Sequence, residues 1–223
     1  MQKRFLILTA ALTVCVSAQA GLYSYSSGTL NLAIPDADPN GVMSRLTVSD
    51  IEAGAWVTAV SVTLNVSGGY NGDLRAYLSY NGTLVPLLNR VGTTATDPFG
   101  YPDRGFGPDS LNNPFILSDT GSYDVHNYGD HSPQFNGSGQ LTGTWRPDGS
   151  SFVSFHDMNP NGAWTLFFAD LSGGEQSTLV GWSLNVTAVP EPVTMALVVF
   201  VALAGGIKLV LWRRRSARTS PAI

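Results

Sequence analysis

Apolar and polar residues alternate along four stretches of the chain. From Ala59 to Ser67, the apolar residues Val60, Val62, Leu64 and Val66 take turns with Ser61, Thr63, Asn65 and Ser67. The same period of two returns at Leu74, Ala76, Leu78 and Tyr80, at Trp164, Leu166 and Phe168, and at Val180, Trp182, Leu184 and Val186. Successive side chains of a strand point to opposite faces, so each stretch predicts a strand with one apolar face. Such faces need a second sheet to cover them. Shorter candidate strands are Leu30 to Ile34, Met43 to Val48, Thr83 to Leu88, Phe115 to Ser118 and Phe152 to Phe155. Turn signals separate them: Gly68-Gly69, Asn71-Gly72-Asp73, Asn81-Gly82, Asn161-Gly162 and Gly173-Gly174. No segment before residue 193 carries a helical stripe. The pattern predicts an all-β protein, a β-sandwich of jelly-roll type.

Gly92 to Pro114 and Thr120 to Ser151 fit no strand. Both are rich in Gly, Pro, Asp and Asn, with Phe99, Tyr101 and Phe106 in the first and Tyr123, His126, Tyr128 and His131 in the second. Loops of this length are commonly functional or disordered. Their aromatic content favours rings that pack on the sandwich or meet a ligand.

The two ends break the pattern. Val193 to Trp212 is an apolar run of twenty residues whose one charge is Lys208, followed by Arg213, Arg214, Arg215 and Arg218. At about 1.5 Å per residue it reaches about 30 Å, the thickness of a bilayer's hydrocarbon core. This predicts one C-terminal transmembrane helix at 193–212, with the arginines held on the cytoplasmic side and Lys208 snorkelling towards them. At the other end, Lys3 and Arg4 precede an apolar stretch from Phe5 to Val16, and Ala18-Gln19-Ala20 offers a small-residue cleavage site before Gly21. Residues 1–20 are therefore expected to be a signal peptide, recognised at Ala18 and Ala20 by signal peptidase. A lipoprotein reading through Cys15 is disfavoured by Val14, which stands where a small residue is wanted. Cys15 is the only cysteine, so residues 21–188 hold no disulfide and depend on their core. Those residues carry five arginines, no lysine and fifteen carboxylates, a net charge of −10. A nucleic-acid partner is excluded by that sign, whereas a divalent cation is compatible with it.

Several elements taken in order resemble a known family. They are Ile34-Pro35-Asp36, the strand from Trp56 to Val66, Tyr70-Asn71-Gly72-Asp73-Leu74, Gly82-Thr83, Phe115-Ile116-Leu117-Ser118-Asp119, Arg146-Pro147, Asn161-Gly162-Ala163-Trp164-Thr165-Leu166 with Asp170, and Gly181-Trp182-Ser183-Leu184. Over residues 30–187 this order resembles the P domain (Homo B domain) that follows the catalytic domain of subtilisin-like proprotein convertases. Tyr80-Asn81 departs from it, because the family usually has a Ser-Pro turn there. The resemblance implies a jelly-roll β-sandwich. At the C-terminus, Val189-Pro190-Glu191-Pro192, the apolar span and the arginine cluster look like a PEP-CTERM sorting signal over residues 189–218. That likeness implies cutting by an exosortase and release from the inner membrane of a Gram-negative bacterium to the cell surface or exopolysaccharide matrix. An ordinary stop-transfer anchor with a chance Pro-Glu-Pro is the competing reading.

The familiar host of a P domain is a serine protease, which needs a nucleophile, a histidine base and an orienting carboxylate. The chain has three histidines, His126, His131 and His156, and no Gly-x-Ser-x-Gly elbow. Asp124, His126, Asp130 and His131 lack any zinc-like spacing. Catalysis is not expected. Asp36-x-Asp38-x-Asn40-Gly41 and Asp157-x-Asn159-x-Asn161-Gly162 copy half of an EF-hand loop, but Thr47 and Phe168 stand where its glutamate belongs, so both read as Asx-rich turns. A calcium ion held jointly by Asp73, Asp119 and Asp170 is the alternative to three turn-capping carboxylates. The expected function is an exported, non-catalytic binding or structural role, with exopolysaccharide or a surface protein as partner. The alternatives are an accessory domain acting in trans with a subtilisin-like protease, or a hydrolase using the loop histidines.

Overall fold

The computed structural model describes residues 19–108 and 113–191, which include eleven strands. In chain order these are β1 (Gly21–Ser26), β2 (Leu32–Ala33), β3 (Asp38–Val48), β4 (Trp56–Gly68), β5 (Leu74–Tyr80), β6 (Thr83–Asn89), β7 (Gly105–Phe106), β8 (Phe115–Ser118), β9 (Gly143–Trp145), β10 (Gly162–Asp170) and β11 (Ser177–Val189). They form a seven-stranded sheet in the order β1-β11-β4-β8-β9, with β2 beside β11 and β7 beside β4, and a four-stranded sheet in the order β3-β10-β5-β6. Every pairing is antiparallel except that of β8 with β9. Neither sheet closes into a barrel. Residues Ala20–Val189 make one compact unit.

The alternation read from the sequence becomes the core. Val60, Val62, Leu64 and Val66 of β4 are buried, as are Leu74, Ala76, Leu78 and Tyr80 of β5 and Trp164, Leu166 and Phe168 of β10, all in one apolar cluster. The hairpin between β5 and β6 turns on Asn81 (φ +46°) and Gly82 (φ +79°). Two left-handed residues suit a two-residue hairpin, because their twist matches that of the flanking strands. Trp164 anchors the far end of the four-stranded sheet: it stacks on Tyr80 at 3.9 Å and donates from Nε1 to the Pro160 carbonyl at 3.1 Å.

Four features differ from expectation, the first being β1, a strand paired with β11 where none is predicted. Phe152–Phe155 is a 3-10 turn rather than a strand, capped by the Ser151 hydroxyl accepting from Val153 N–H. Phe152 and Phe155 are three residues apart, so a 3-10 turn puts both rings on one side and both are buried, whereas a strand would send them to opposite faces. In β11 the register shifts between Leu179 and Gly181, so Leu179 rather than Val180 is buried. The two long loops are also more ordered than their composition predicts. The first contains β7, the second β9 and a 3-10 segment at Val125–His131, and Phe106 and Tyr128 are fully buried. Among the described residues no helix is long and apolar enough to cross a membrane. The expected span at 193–212 lies outside them, as do Ala18 and Pro192. Ala20 precedes β1, and Val189 is the last residue of β11, paired with Trp56. Pro190 and Glu191 follow it directly.

Candidate functional site

A cleft of about 320 Å³ opens where β4 hands over to β5. Its walls are Tyr70 and Asp73 from the β4–β5 turn, Phe99 to Pro102 from the first long loop, and Ser172 and Gly173 from the loop after β10. Phe99 is 75% exposed at its rim. The exposed pair Arg104–Glu175, at 2.6 and 2.9 Å, lies beside Tyr70, with the Arg104 guanidinium 5.9 Å from that ring.

Two residues hold these loops together. Asn71 is fully buried in the β4–β5 turn. Its Nδ2 donates to the Gly105 carbonyl and the Tyr128 hydroxyl, both at 3.2 Å, and its Oδ1 accepts from Gly105 N–H at 2.7 Å. Tyr128 in turn donates to Asp103 at 2.8 Å and packs on Tyr101, ring centroids 4.3 Å apart. The next residue has to be glycine: Gly72 N–H donates to the Tyr101 carbonyl, and a Cβ there would stand 2.1 Å from the Phe99 carbonyl oxygen. Arg90 works from below. Its Nε donates to the Gly72 carbonyl at 3.2 Å, and its Nη2 reaches the Pro98 carbonyl at 2.8 Å and the Ser172 hydroxyl at 3.1 Å. One guanidinium therefore ties three segments of the cleft.

Asp73 in the cleft wall and Asp170 at the end of β10 are electrostatically crowded. Burial raises the pKa of Asp73, opposed by the Ser172 hydroxyl and by Arg90, whose Nη2 stands 4.0 Å from Asp73 Oδ1. Burial also pushes Asp170 up to about 6, the negative charges of Asp73 and Asp36 adding to it and the Ser172 N–H opposing it. Asp36 accepts from Gly174 N–H at 3.2 Å through Oδ2.

Of the expected calcium set, Asp73 and Asp170 come together and Asp119 does not. Asp119 follows β8, whose Ser118 pairs with Ser61, seven residues short of Gly68 along β4. That distance along a strand is roughly 20 Å, so Asp119 sits towards the other end of the sheet. There it caps the 3-10 turn, accepting from Phe152 N–H at 3.0 Å. Among the described residues, no three His, Cys, Asp or Glu side chains stand in a ready ligating array. Asp124 accepts from the N–H groups of His126 and Gly149, at 2.8 and 2.9 Å.

His126 is held at both ring nitrogens. His126 places Nδ1 3.0 Å from Asp148 Oδ2 and Nε2 2.9 Å from the Thr93 carbonyl. Two acceptors require two N–H donors, so the geometry suits the imidazolium. Burial works against that charge, but the bonds to Asp148 and Thr93 and the charges of Asp148 and Asp124 outweigh it and raise the pKa. His131 stacks on Tyr123 at 3.7 Å. His156 ends the Phe152–Phe155 turn, its N–H donating to the Val153 carbonyl.

The molecule is thus a two-sheet β protein with an aromatic cleft at one end of its sheets. No family model matches the sequence, and neither does any curated protein. Among solved structures, the chain is similar to one in the complex of Aeromonas sobria serine protease with its chaperone, at a TM-score of 0.45 and 16% identity over 78% of this chain. It is also similar to the serine protease of Aeromonas sobria, at a TM-score of 0.39 and 14% identity over 78% of this chain. In both cases the match spans 28% of the other chain.

Proposed function

We propose that this protein is an exported, non-catalytic binding module of jelly-roll type, whose cleft contacts extracellular polysaccharide at the cell surface or in the matrix. The observation that carries the reading is Phe99, a large ring 75% exposed on the rim of a cavity whose wall includes Tyr70 and Tyr101. An apolar ring held open to solvent beside a concave, partly polar surface suits the C–H faces of a sugar, with hydroxyl partners at Asp73 and Ser172. Arg104 and Glu175 beside Tyr70 add polar groups at its edge. His126 is a poor candidate for a general base, since both of its ring nitrogens already face acceptors.

Retention of the full-length protein on matrix polysaccharide, measured by affinity electrophoresis, tests this. Phe99→Ala is expected to weaken retention roughly tenfold, the scale of one lost stacking contact, and to leave the melting midpoint unchanged. Retention equal to wild type rules the cleft out. An accessory role beside a separate subtilisin-like protease is the alternative implied by the P-domain resemblance. It would appear as a shift in that protease's thermal inactivation when the protein is added, insensitive to polysaccharide.

Export and sorting rest on the sequence of the two ends. The intact mass of the extracellular product is expected to correspond to a chain that begins near Gly21 and stops near Glu191. A product that keeps its arginine cluster would identify a permanent anchor instead.

A further inference from the structure

We propose that the outer face of the four-stranded sheet is a second contact surface, one that takes a carboxylated polysaccharide chain laid across its strands. Strand register builds it. Phe167 of β10 pairs with Met43 of β3 on one side and with Tyr77 of β5 on the other, and Tyr77 pairs with Pro86 of β6. The sequence neighbours of Phe167, Tyr77 and Pro86 are buried in the core, so alternation turns this row outward. Met43 is 70% exposed, and the Tyr77 and Phe167 rings stack with centroids 6.0 Å apart. With neighbouring strands about 4.8 Å apart, the row is about 14 Å long and crosses every strand of the sheet. A continuous apolar row stands here on a face where antiparallel sheets ordinarily turn polar residues to water.

Charge selects the occupant. Residues 21–188 carry a net charge of −10, yet residues 43–47 of β3, 75–79 of β5, 84–86 of β6 and 163–167 of β10 hold no carboxylate and two of the five arginines. Arg45 stands two residues beyond Met43, and Arg75 two residues before Tyr77. Because β3 and β5 both run antiparallel to β10, the two arginines lie on opposite sides of the apolar row, each about 7 Å from it along its strand. Neither forms an ion pair among the described residues, and Arg75 Nε donates to Asn89 Oδ1 at 3.2 Å. A carboxylated sugar chain complements this arrangement. Its C–H faces cover the row, and carboxylates along its two edges meet a guanidinium on either side. A neutral chain would leave both arginines unused. A second copy packed face to face would set arginine against arginine with no carboxylate between them. The surface shares no residue with the cleft, so it neither requires nor replaces the contact proposed there.

Affinity electrophoresis of the full-length protein in neutral detergent, through gels containing polygalacturonate or dextran, tests the surface. Polygalacturonate is expected to retard the protein more strongly than dextran does. Arg45→Gln combined with Arg75→Gln is expected to weaken retention on polygalacturonate roughly tenfold, and Tyr77→Ser to weaken it roughly tenfold through the lost ring. Arg146→Gln, which removes a charge after β9 and away from this sheet, is expected to keep it, and so is Phe99→Ala. Melting midpoints check that the variants fold, and the exposed Met43→Gln replaces Tyr77→Ser if that one does not. Absence of retention on polygalacturonate overturns the proposal, as does retention that the arginine pair survives or that dextran matches. Retention lost in Phe99→Ala and kept in the arginine pair would put the acidic polymer in the cleft, overturning this surface while upholding the other. A dimer in sedimentation that Met43→Arg separates, without retention on polygalacturonate, would assign the face to a second copy and likewise overturn the proposal.

Discussion

Asn71→Ala is expected to destabilise the protein by about 3 kcal/mol, a shift of the thermal midpoint of roughly 6–12 °C. The loss comes from what the amide leaves behind. Gly105 would keep a buried N–H without a partner, its carbonyl would be left with the Leu141 N–H alone, and the Tyr128 hydroxyl would lose the donor that turns it towards Asp103. Each orphaned buried group costs about 1–3 kcal/mol, more than a typical surface hydrogen bond is worth. The damage should spread along the chain, because the amide holds β7 and the loop before it against the β4–β5 turn. Hydrogen exchange is therefore expected to accelerate over residues 99–106 while β5 and β10 stay protected. Urea unfolding measures the size of the effect. A loss below about 1 kcal/mol would mean that the turn is held by Arg90 and by backbone bonds alone.

The same residue shows how much of this molecule could be read from its sequence. The sheets follow from hydrophobic period because burial enforces it: a one-residue slip in β4 would turn Val60, Val62, Leu64 and Val66 to solvent. Where the constraint is a polar contact between distant segments, period says nothing. Asn71-Gly72-Asp73 was visible as a turn, but its bonds run to residues more than thirty positions away. Arg90 was visible only as one of five arginines in residues 21–188, and its positive φ of 55° left no mark in composition. The Leu179–Gly181 shift in β11 was hidden because Leu179 and Val180 are both apolar, so alternation could start from either. Phe152–Phe155 did carry a signal, a serine cap followed by rings three apart, which the short apolar run masked.

The acidic residues make the same point through geometry. Asp73, Asp119 and Asp170 share a place at the edges of strands, and spacing cannot tell which end of a sheet each edge belongs to. Pairing of β8 with the middle of β4, its Ser118 end towards the start of that strand, sends Asp119 away, while the loop after β10 brings Gly174 to Asp36. The carboxylates whose charges act on one another are thus Asp36, Asp73 and Asp170. Two of the three come from turns whose partners are set only once both sheets exist.

Removing the buried charge of Asp170 should stabilise the protein. Asp170 has its pKa raised from 3.8 to about 6, so the folded state holds this proton more tightly than the unfolded chain does. Its contribution to stability is fully present below the unfolded value and is lost as pH rises through the folded one. A shift of that size corresponds to about 3 kcal/mol between pH 4 and pH 7. Asp170→Asn cannot lose a proton, keeps an oxygen for the Ser172 N–H, and places unpaired amide hydrogens where Oδ2 stood, at about 1 kcal/mol. The variant is therefore expected to be about 2 kcal/mol more stable than wild type at pH 7.5. The advantage should shrink as pH falls through 6 and reverse below about pH 5. Parallel urea titrations of both proteins across this range isolate Asp170, because every other carboxylate is common to the two. A difference that stays constant from pH 4 to pH 8 would show that Asp170 carries the same charge folded as unfolded.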